Sequence, residues 1–241
     1  VLIHGETGTG KELAARFLHR KSARAQRPFV TIDCATLAGD MFVAELFGHE
    51  AGAYTGAAGA KPGLVEVADG GTLFLDEVGE TSTDIQAKLL RILDRSTFRR
   101  LGSNRERRVD FRLICATNRN LRRAVAAGTF RADLLYRINS MQVTLPPLRH
   151  RSADISELAE HYLRRLMPDQ TGPLIDPQAL QVLQRHPFPG NVRELKHILE
   201  RAAVLSRQQT IRPAHLPLEL RAARGVPAQR RPSGPTTGHQ H

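Results

Sequence analysis

Val1-Leu2-Ile3-His4-Gly5-Glu6-Thr7-Gly8-Thr9-Gly10-Lys11 opens the chain, an apolar run that stops in a glycine-rich turn closed by a lysine. The turn fits the pattern G-x-x-x-x-G-K, and its neighbours give it meaning. Val1 to Ile3 reads as a strand, and Glu12 to Arg20 carries a helical pattern. Between a strand and a helix, glycines let backbone N–H groups converge on phosphate oxygens, while a lysine ammonium reaches the outer phosphates. Gly5, Glu6, Thr7, Gly8, Thr9, Gly10 and Lys11 are therefore assigned to nucleotide, with Glu12 standing where a serine or threonine on Mg2+ is usual.

The same grammar repeats along the chain. Apolar runs at Phe29 to Ile32, Thr72 to Leu75, Arg112 to Ala116 and Met141 to Leu145 read as further strands, separated by helical patterns. In one of these, Ile85, Leu89, Ile92 and Leu93 fall on a single helix face. Strand and helix in alternation predict an α/β fold around a parallel sheet, here a three-layer module over residues 1–150. Past Pro146 and Pro147 the pattern is helical only, and residues 151–220 are expected to form a separate helical lid. Asp176 before Pro177 marks one helix start, a capping carboxylate followed by proline in the first turn. From 221 to 241, proline, glycine, arginine and threonine replace the apolar periodicity, as in a disordered tail.

A second acidic element completes the nucleotide chemistry. Gly70-Gly71-Thr72-Leu73-Phe74-Leu75-Asp76-Glu77 is an apolar strand ending in two carboxylates. Alone, such a pair reads equally well as a solvated turn. After a phosphate loop it reads as a Walker B element, with Asp76 on Mg2+ and Glu77 orienting or deprotonating the attacking water.

Composition sets outer bounds. With 241 residues and 41% hydrophobic content the chain can bury one core and a satellite. No run approaches the roughly 18 to 20 apolar residues that span a bilayer, and no leader opens the chain, so a cytoplasmic protein without a membrane partner is expected. Opening on Val1, already inside a strand, the sequence reads as a fragment with its upstream part missing. The net charge of +11 speaks to solubility and non-specific attraction before function. Cys34 and Cys115 lack histidine or cysteine neighbours at ligand spacing and are expected to be buried thiols.

Taken together, these blocks resemble the central AAA+ ATPase domain of sigma-54-dependent transcriptional activators, bacterial enhancer-binding proteins, almost continuously from Val1 to about Leu220. GETGTGKE is close to that family's own phosphate loop, where glutamate follows the lysine. Glu45 to Ala57, ELFGHEAGAYTGA, resembles its hallmark loop, with Tyr54 where phenylalanine is usual. The resemblance implies that Gly52, Ala53, Tyr54, Thr55, Gly56 and Ala57 form a tip that touches sigma-54, and one aromatic among residues too small to bury it is expected to point outward. Asn118, ending Ala116-Thr117-Asn118, resembles a sensor that reports the γ-phosphate. Arg131 and Arg137 lie in a segment that resembles the one carrying arginine fingers, which reach a neighbouring subunit's nucleotide. Arg193, in Gly190-Asn191-Val192-Arg193-Glu194-Leu195, resembles the second sensor, facing the phosphates.

The resemblance implies an ATPase acting as a hexameric ring with ATP and Mg2+, remodelling RNA polymerase that carries sigma-54. In this family a DNA-reading helix-turn-helix follows the lid, and none is present in this sequence. Asp33 departs from the pattern, standing where an asparagine often bonds the Walker B glutamate. Were it beside Glu77, like charges would share the site. Arg99, Arg100, Arg105, Arg107, Arg108 and Arg112 cluster where the family carries a second surface loop near the first; DNA contact and a solvated face are both compatible with them. Two rivals stay open: a regulator that binds ATP and DNA without opening promoters, and an AAA+ remodeller of another protein.

Overall fold

A computed structural model describes residues 1–36, 39–54, 57 and 59–222. Thr55 and Gly56 of the expected contact tip, and the expected tail past Ala222, lie outside the described residues. β1 (Leu2–His4) feeds the phosphate loop and α1 (Lys11–Arg20), and β2 (Phe29–Asp33) is followed by α2 (Gly39–Phe47). β3 (Gly48–His49), inside the hallmark block, pairs with β4 (Lys61–Pro62) beyond its end, and α3 (Leu64–Val67) leads into β5 (Thr72–Asp76). Next come α4 (Thr83–Arg95), the hairpin β6 (Thr97–Phe98) and β7 (Arg107–Arg108), and β8 (Arg112–Thr117). α5 (Leu121–Ala126), α6 (Ala132–Ile138) and β9 (Gln142–Thr144) follow, and then helices alone: α7 (Asp154–Leu166), α8 (Pro177–Arg185), α9 (Asn191–Leu205) and α10 (Leu218–Ala222).

All five runs read as strands join one sheet, in the order β2-β5-β8-β1-β9, with every pairing parallel. Parallel strands bring their C-terminal ends to one edge, so the loops after β1, β5 and β8 converge there. Alternation along each strand builds two faces. Leu2, Leu73, Leu75 and Cys115 enter one core with Ile85, Leu89 and Ile92 of α4 and Leu134 of α6. Ile3, Phe74, Ile114 and Ala116 point the other way, onto Ala15 of α1. Each fully buried leucine, isoleucine or phenylalanine stabilises this sandwich by roughly 1.5 to 3 kcal/mol. Cys34 and Cys115 are free and buried, and burial pushes both thiols up, Cys115 to about 12.

The chain divides into two compact units, the first being Val1–Arg151 together with Pro189–Glu194. Arg193 thus belongs with the α/β unit. In the second unit, α7 buries Ile155, Ala159 and Leu163, and α8 buries Ala179 and Leu183. Asp176 caps α8 by accepting the Gln178 N–H at 2.7 Å, with Pro177 in the first turn as its sequence announces. Among the described residues no helix is long and apolar enough to cross a membrane.

Candidate active site

Lys11, the first residue of α1, is 6% exposed, and its ammonium donates to Gly5 O at 3.2 Å and to Glu77 Oε1 at 3.0 Å. Glu77 follows β5 in the left-handed region, φ 50°, an uncommon backbone for a residue with a side chain. That turn carries its carboxylate toward the end of β8, where Oε2 accepts the Asn118 N–H at 3.1 Å. Asn118 Nδ2 in turn donates to Thr7 Oγ1 at 3.0 Å. Lys11, Glu77, Asn118 and Thr7, three separate loops in sequence, are one hydrogen-bonded chain across the sheet edge.

Asp76 is half-buried, and its Oδ1 accepts the Glu77 N–H at 3.0 Å. Burial first, and the adjacent Glu77 charge second, push its carboxyl above the ordinary value, against the pull of Lys11. A desolvated carboxylate beside another is a fitting seat for a divalent cation. Mg2+ binds through one or two carboxylates plus water and substrate phosphates, and Asp76 with Glu77 beside it offers carboxylates of that kind.

Asp33 stands opposite Asp76, not Glu77, in the β2–β5 register. Its Oδ1 accepts the Ala35 N–H at 2.9 Å, and both Glu77 oxygens are held elsewhere. The like charge expected on Glu77 falls instead on Asp76, which Asp33 also pushes upward. Register decides this, because equal strand positions meet across a parallel pair.

Thr9 turns its hydroxyl onto Glu6 O at 2.8 Å, and Gly10 begins α1 as its cap residue. Gly8 has φ 80°, and a Cβ there would lie 2.3 Å from Gly190 O, so both backbone and space demand glycine. Glu12 points along the exposed face of α1 to Arg16, at 2.7 Å. Arg193 is exposed, and among the described residues no hydrogen bond or ion pair holds its guanidinium. Its Cβ lies 3.1 Å from where a Gly8 Cβ would be. Arg131 and Arg137 are exposed at the two ends of α6, and their side-chain partners lie outside the Lys11 chain. Arg131 forks onto Asp133 at 2.7 and 3.0 Å, and Arg137 donates to Leu93 O at 2.7 Å.

Tyr54 is 43% exposed but not unsupported, since its ring meets His49 edge-on, centroids 5.1 Å apart. Gly52 N–H to Ala57 O at 2.9 Å and Ala57 N–H to Tyr54 O at 3.0 Å close the turn on itself, with Ala53 between. The β6–β7 hairpin lies directly against it. Leu101 exchanges backbone hydrogen bonds with Gly48 and Glu50, and a Cβ on Gly102 (φ 75°) would come 2.9 Å from Ala53 Cβ. Arg100 forks onto Glu66 of α3 at 2.7 and 2.9 Å and reaches Glu50 at 3.4 Å, while Arg107 reaches Glu50 at 3.3 Å. Arg99 pairs with Glu106, and Arg112 donates to Leu18 O. Much of the basic cluster is therefore an internal tie between loops.

One protein family, the Sigma-54 interaction domain, matches residues 1–144, and the AAA+ ATPase lid domain matches residues 149–232. The chain belongs to the Sigma-54 interaction domain family. The Nif-specific regulatory protein of Rhizobium leguminosarum bv. trifolii is 49% identical over 220 residues, 91% of this chain and 62% of the relative. That of Azotobacter vinelandii is 52% identical over 212 residues, 88% of this chain and 41% of the relative. The chain thus spans only part of these relatives' length. Among solved structures, NtrX from Brucella abortus in complex with ADP superposes with TM-score 0.82 at 38% identity, covering 91% of this chain and 50% of that one. The architecture is that of an AAA+ α/β module with a helical lid.

Two residues that hold this Sigma-54 interaction domain site together have no role assigned by its motifs, although Asn191 stands inside the second-sensor block. Arg149 forks onto Glu6 at 2.6 and 2.8 Å, and Asn191, fully buried, donates to the Glu6 carboxylate and to Thr7 O. Arg149 first, then Asn191, pull the Glu6 carboxyl down to about 2. Arg149 and Asn191 are remote from the phosphate loop in the chain, and only the fold brings them to it.

Proposed function

We propose that this chain is the ATP-hydrolysing module of a transcription activator that remodels sigma-54 RNA polymerase at closed promoter complexes, working as a ring. The observation that carries the reading is the Lys11–Glu77–Asn118–Thr7 chain beside Asp76, within a chain that belongs to the Sigma-54 interaction domain family.

The residues divide the chemistry. Backbone amides of the loop from Gly5 to Lys11, at the start of α1, receive phosphate oxygens. Lys11 is shared between Glu77 and incoming phosphate. A phosphate that draws the ammonium leaves Glu77 Oε1 free to accept a proton from the attacking water, while Oε2 stays on the Asn118 N–H. Asp76 would hold Mg2+, whose charge supports phosphoryl transfer. Asn118 links this change to Thr7 and to β8. Arg193, exposed next to Gly8, faces the phosphates as second sensor.

Arg131 and Arg137 complete the site in a neighbouring subunit. Their exposure, with side-chain bonds that involve no member of the Lys11 chain, supports action in trans. The Tyr54 loop, Gly52 to Ala57 in sequence, is the contact to sigma-54. In the assembled ring, Arg131→Ala and Arg137→Ala each lower ATP turnover by roughly 10³-fold or more, with ring size in sedimentation unchanged. Turnover near wild type in the double variant would remove the trans arrangement. In vitro transcription tests the whole: an ATP-dependent open complex at a sigma-54 promoter is expected, and hydrolysis without opening would favour a regulator or remodeller of another kind.

A further inference from the structure

Successive carbonyls of the phosphate loop are all held from outside it. Thr7 O accepts from Asn191 Nδ2 at 3.1 Å, Gly8 O from the Val192 N–H at 2.9 Å, and Thr9 O from Arg151 Nη2 at 3.0 Å. A trans peptide points its C=O and the next N–H in opposite directions. Fixing these oxygens turns the N–H groups of Gly8, Thr9 and Gly10 to the other side. Thr9 N rests 3.3 Å from Glu6 O, and among the described residues the Gly8 and Gly10 N–H groups have no acceptor. Amides held this way form an anion-binding concavity.

Asn191 is itself rigidly set. It is fully buried, left-handed at φ 53°, and its Oδ1 accepts the Leu148 N–H at 2.8 Å. Nδ2 is shared between Thr7 O and Glu6 Oε2, at 3.1 Å each, and the Arg149 fork bonds both Glu6 carboxylate oxygens. A glycine-rich loop without such ties would lose much freedom when it ordered around a ligand.

We propose that Asn191 and Arg151 are positioning residues for ATP binding, which hold the loop's carbonyls outward and so pre-form the amide nest for the phosphate chain. Neither is needed to touch the nucleotide. The proposal rests on the reading of this loop as the ATP site, and it predicts that the ligand affected is the polyphosphate, not the nucleoside.

The test is calorimetric titration of the full-length protein with ATP, inorganic tripolyphosphate and, by competition, adenosine. Asn191→Ala and Arg151→Ala each weaken ATP and tripolyphosphate by about tenfold or more, the scale of one lost hydrogen bond to an ordered loop. The loss for Asn191→Ala persists at about 0.5 M salt, where exposed charges are screened. Adenosine affinity moves by less than about twofold, and in hydrolysis KM rises by more than kcat falls. Should Asn191→Ala not fold, Asn191→Gly, which accepts the left-handed backbone, takes its place with the same expectations. Unchanged tripolyphosphate affinity in both variants, or equal losses for adenosine and tripolyphosphate, would overturn the proposal. Wild-type protein that hydrolyses ATP yet opens no sigma-54 promoter sinks the function proposed above and leaves this inference standing.

Discussion

Breaking the Arg100–Glu66 fork gives a sharp test of how the Tyr54 loop is held. Side-chain exposure is 13% for Arg100 and 21% for Glu66, so the pair is neither a surface ion pair nor fully buried. Exposed pairs contribute about 0 to 1 kcal/mol, whereas removing one member of a buried pair costs about 3 to 5. Two parallel hydrogen bonds place this pair toward the upper part of that span. The fallback partners are weaker: Glu66 keeps Arg107 at 3.6 Å and the Gly63 backbone, and Glu50 keeps Arg107 at 3.3 Å. Arg100→Ala is therefore expected to destabilise the protein by about 2 to 3 kcal/mol, with a coupling of about 2 kcal/mol in a cycle with Glu66→Ala. At roughly 2 to 4 °C per kcal/mol for a chain this size, the melting point falls by about 4 to 12 °C. Urea denaturation of the four proteins measures the coupling. Hydrogen exchange reads the loop, where the amides of Glu50 and Leu101 should exchange faster, since they bond across the same junction. A coupling below about 0.5 kcal/mol would mean that the fork is no more than a surface pair whose burial adds nothing.

Glu77→Gln keeps the shape of the side chain but removes the base, so ATP turnover should drop by about 10² to 10⁴-fold while nucleotide still binds in an equilibrium assay; turnover within tenfold of wild type would remove Glu77 from the chemistry. Asp76 titrates above its ordinary value, so the native state holds its proton more tightly than the unfolded chain, and this group lowers stability as pH rises through that window. Asp76→Asn should accordingly melt higher than wild type at neutral pH without nucleotide, with the gap closing in acid, and should lose Mg2+-dependent turnover. A lower melting point at neutral pH would contradict the cause assigned to the shift. Asp33→Asn removes a like charge across from Asp76 and supplies a donor, and it should alter how nucleotide state controls the Tyr54 loop. An unchanged ATPase rate together with unchanged sigma-54 binding would refute that.

Much of the molecule follows from sequence by local physics. The short apolar runs became the five parallel strands because successive residues such as Leu73, Phe74 and Leu75 must reach opposite cores. The phosphate loop and the Asp76-Glu77 pair were legible because each sits at a strand end, and parallel strands end on one edge. Asp176 and Pro177 announced their helix for the same local reason. Tertiary structure alone decided which charges meet. Strand register put Asp33 against Asp76 and left Glu77 to Lys11 and Asn118. Chain return brought Arg149, Arg151 and Asn191 to the phosphate loop, and packing turned Arg100 and Arg107 inward onto Glu66 and Glu50. Spacing along a chain encodes which face a residue takes within its own element; it carries no record of which remote element will stand opposite, since that depends on how sheet order and loops bring distant segments within the few ångströms over which hydrogen bonds act.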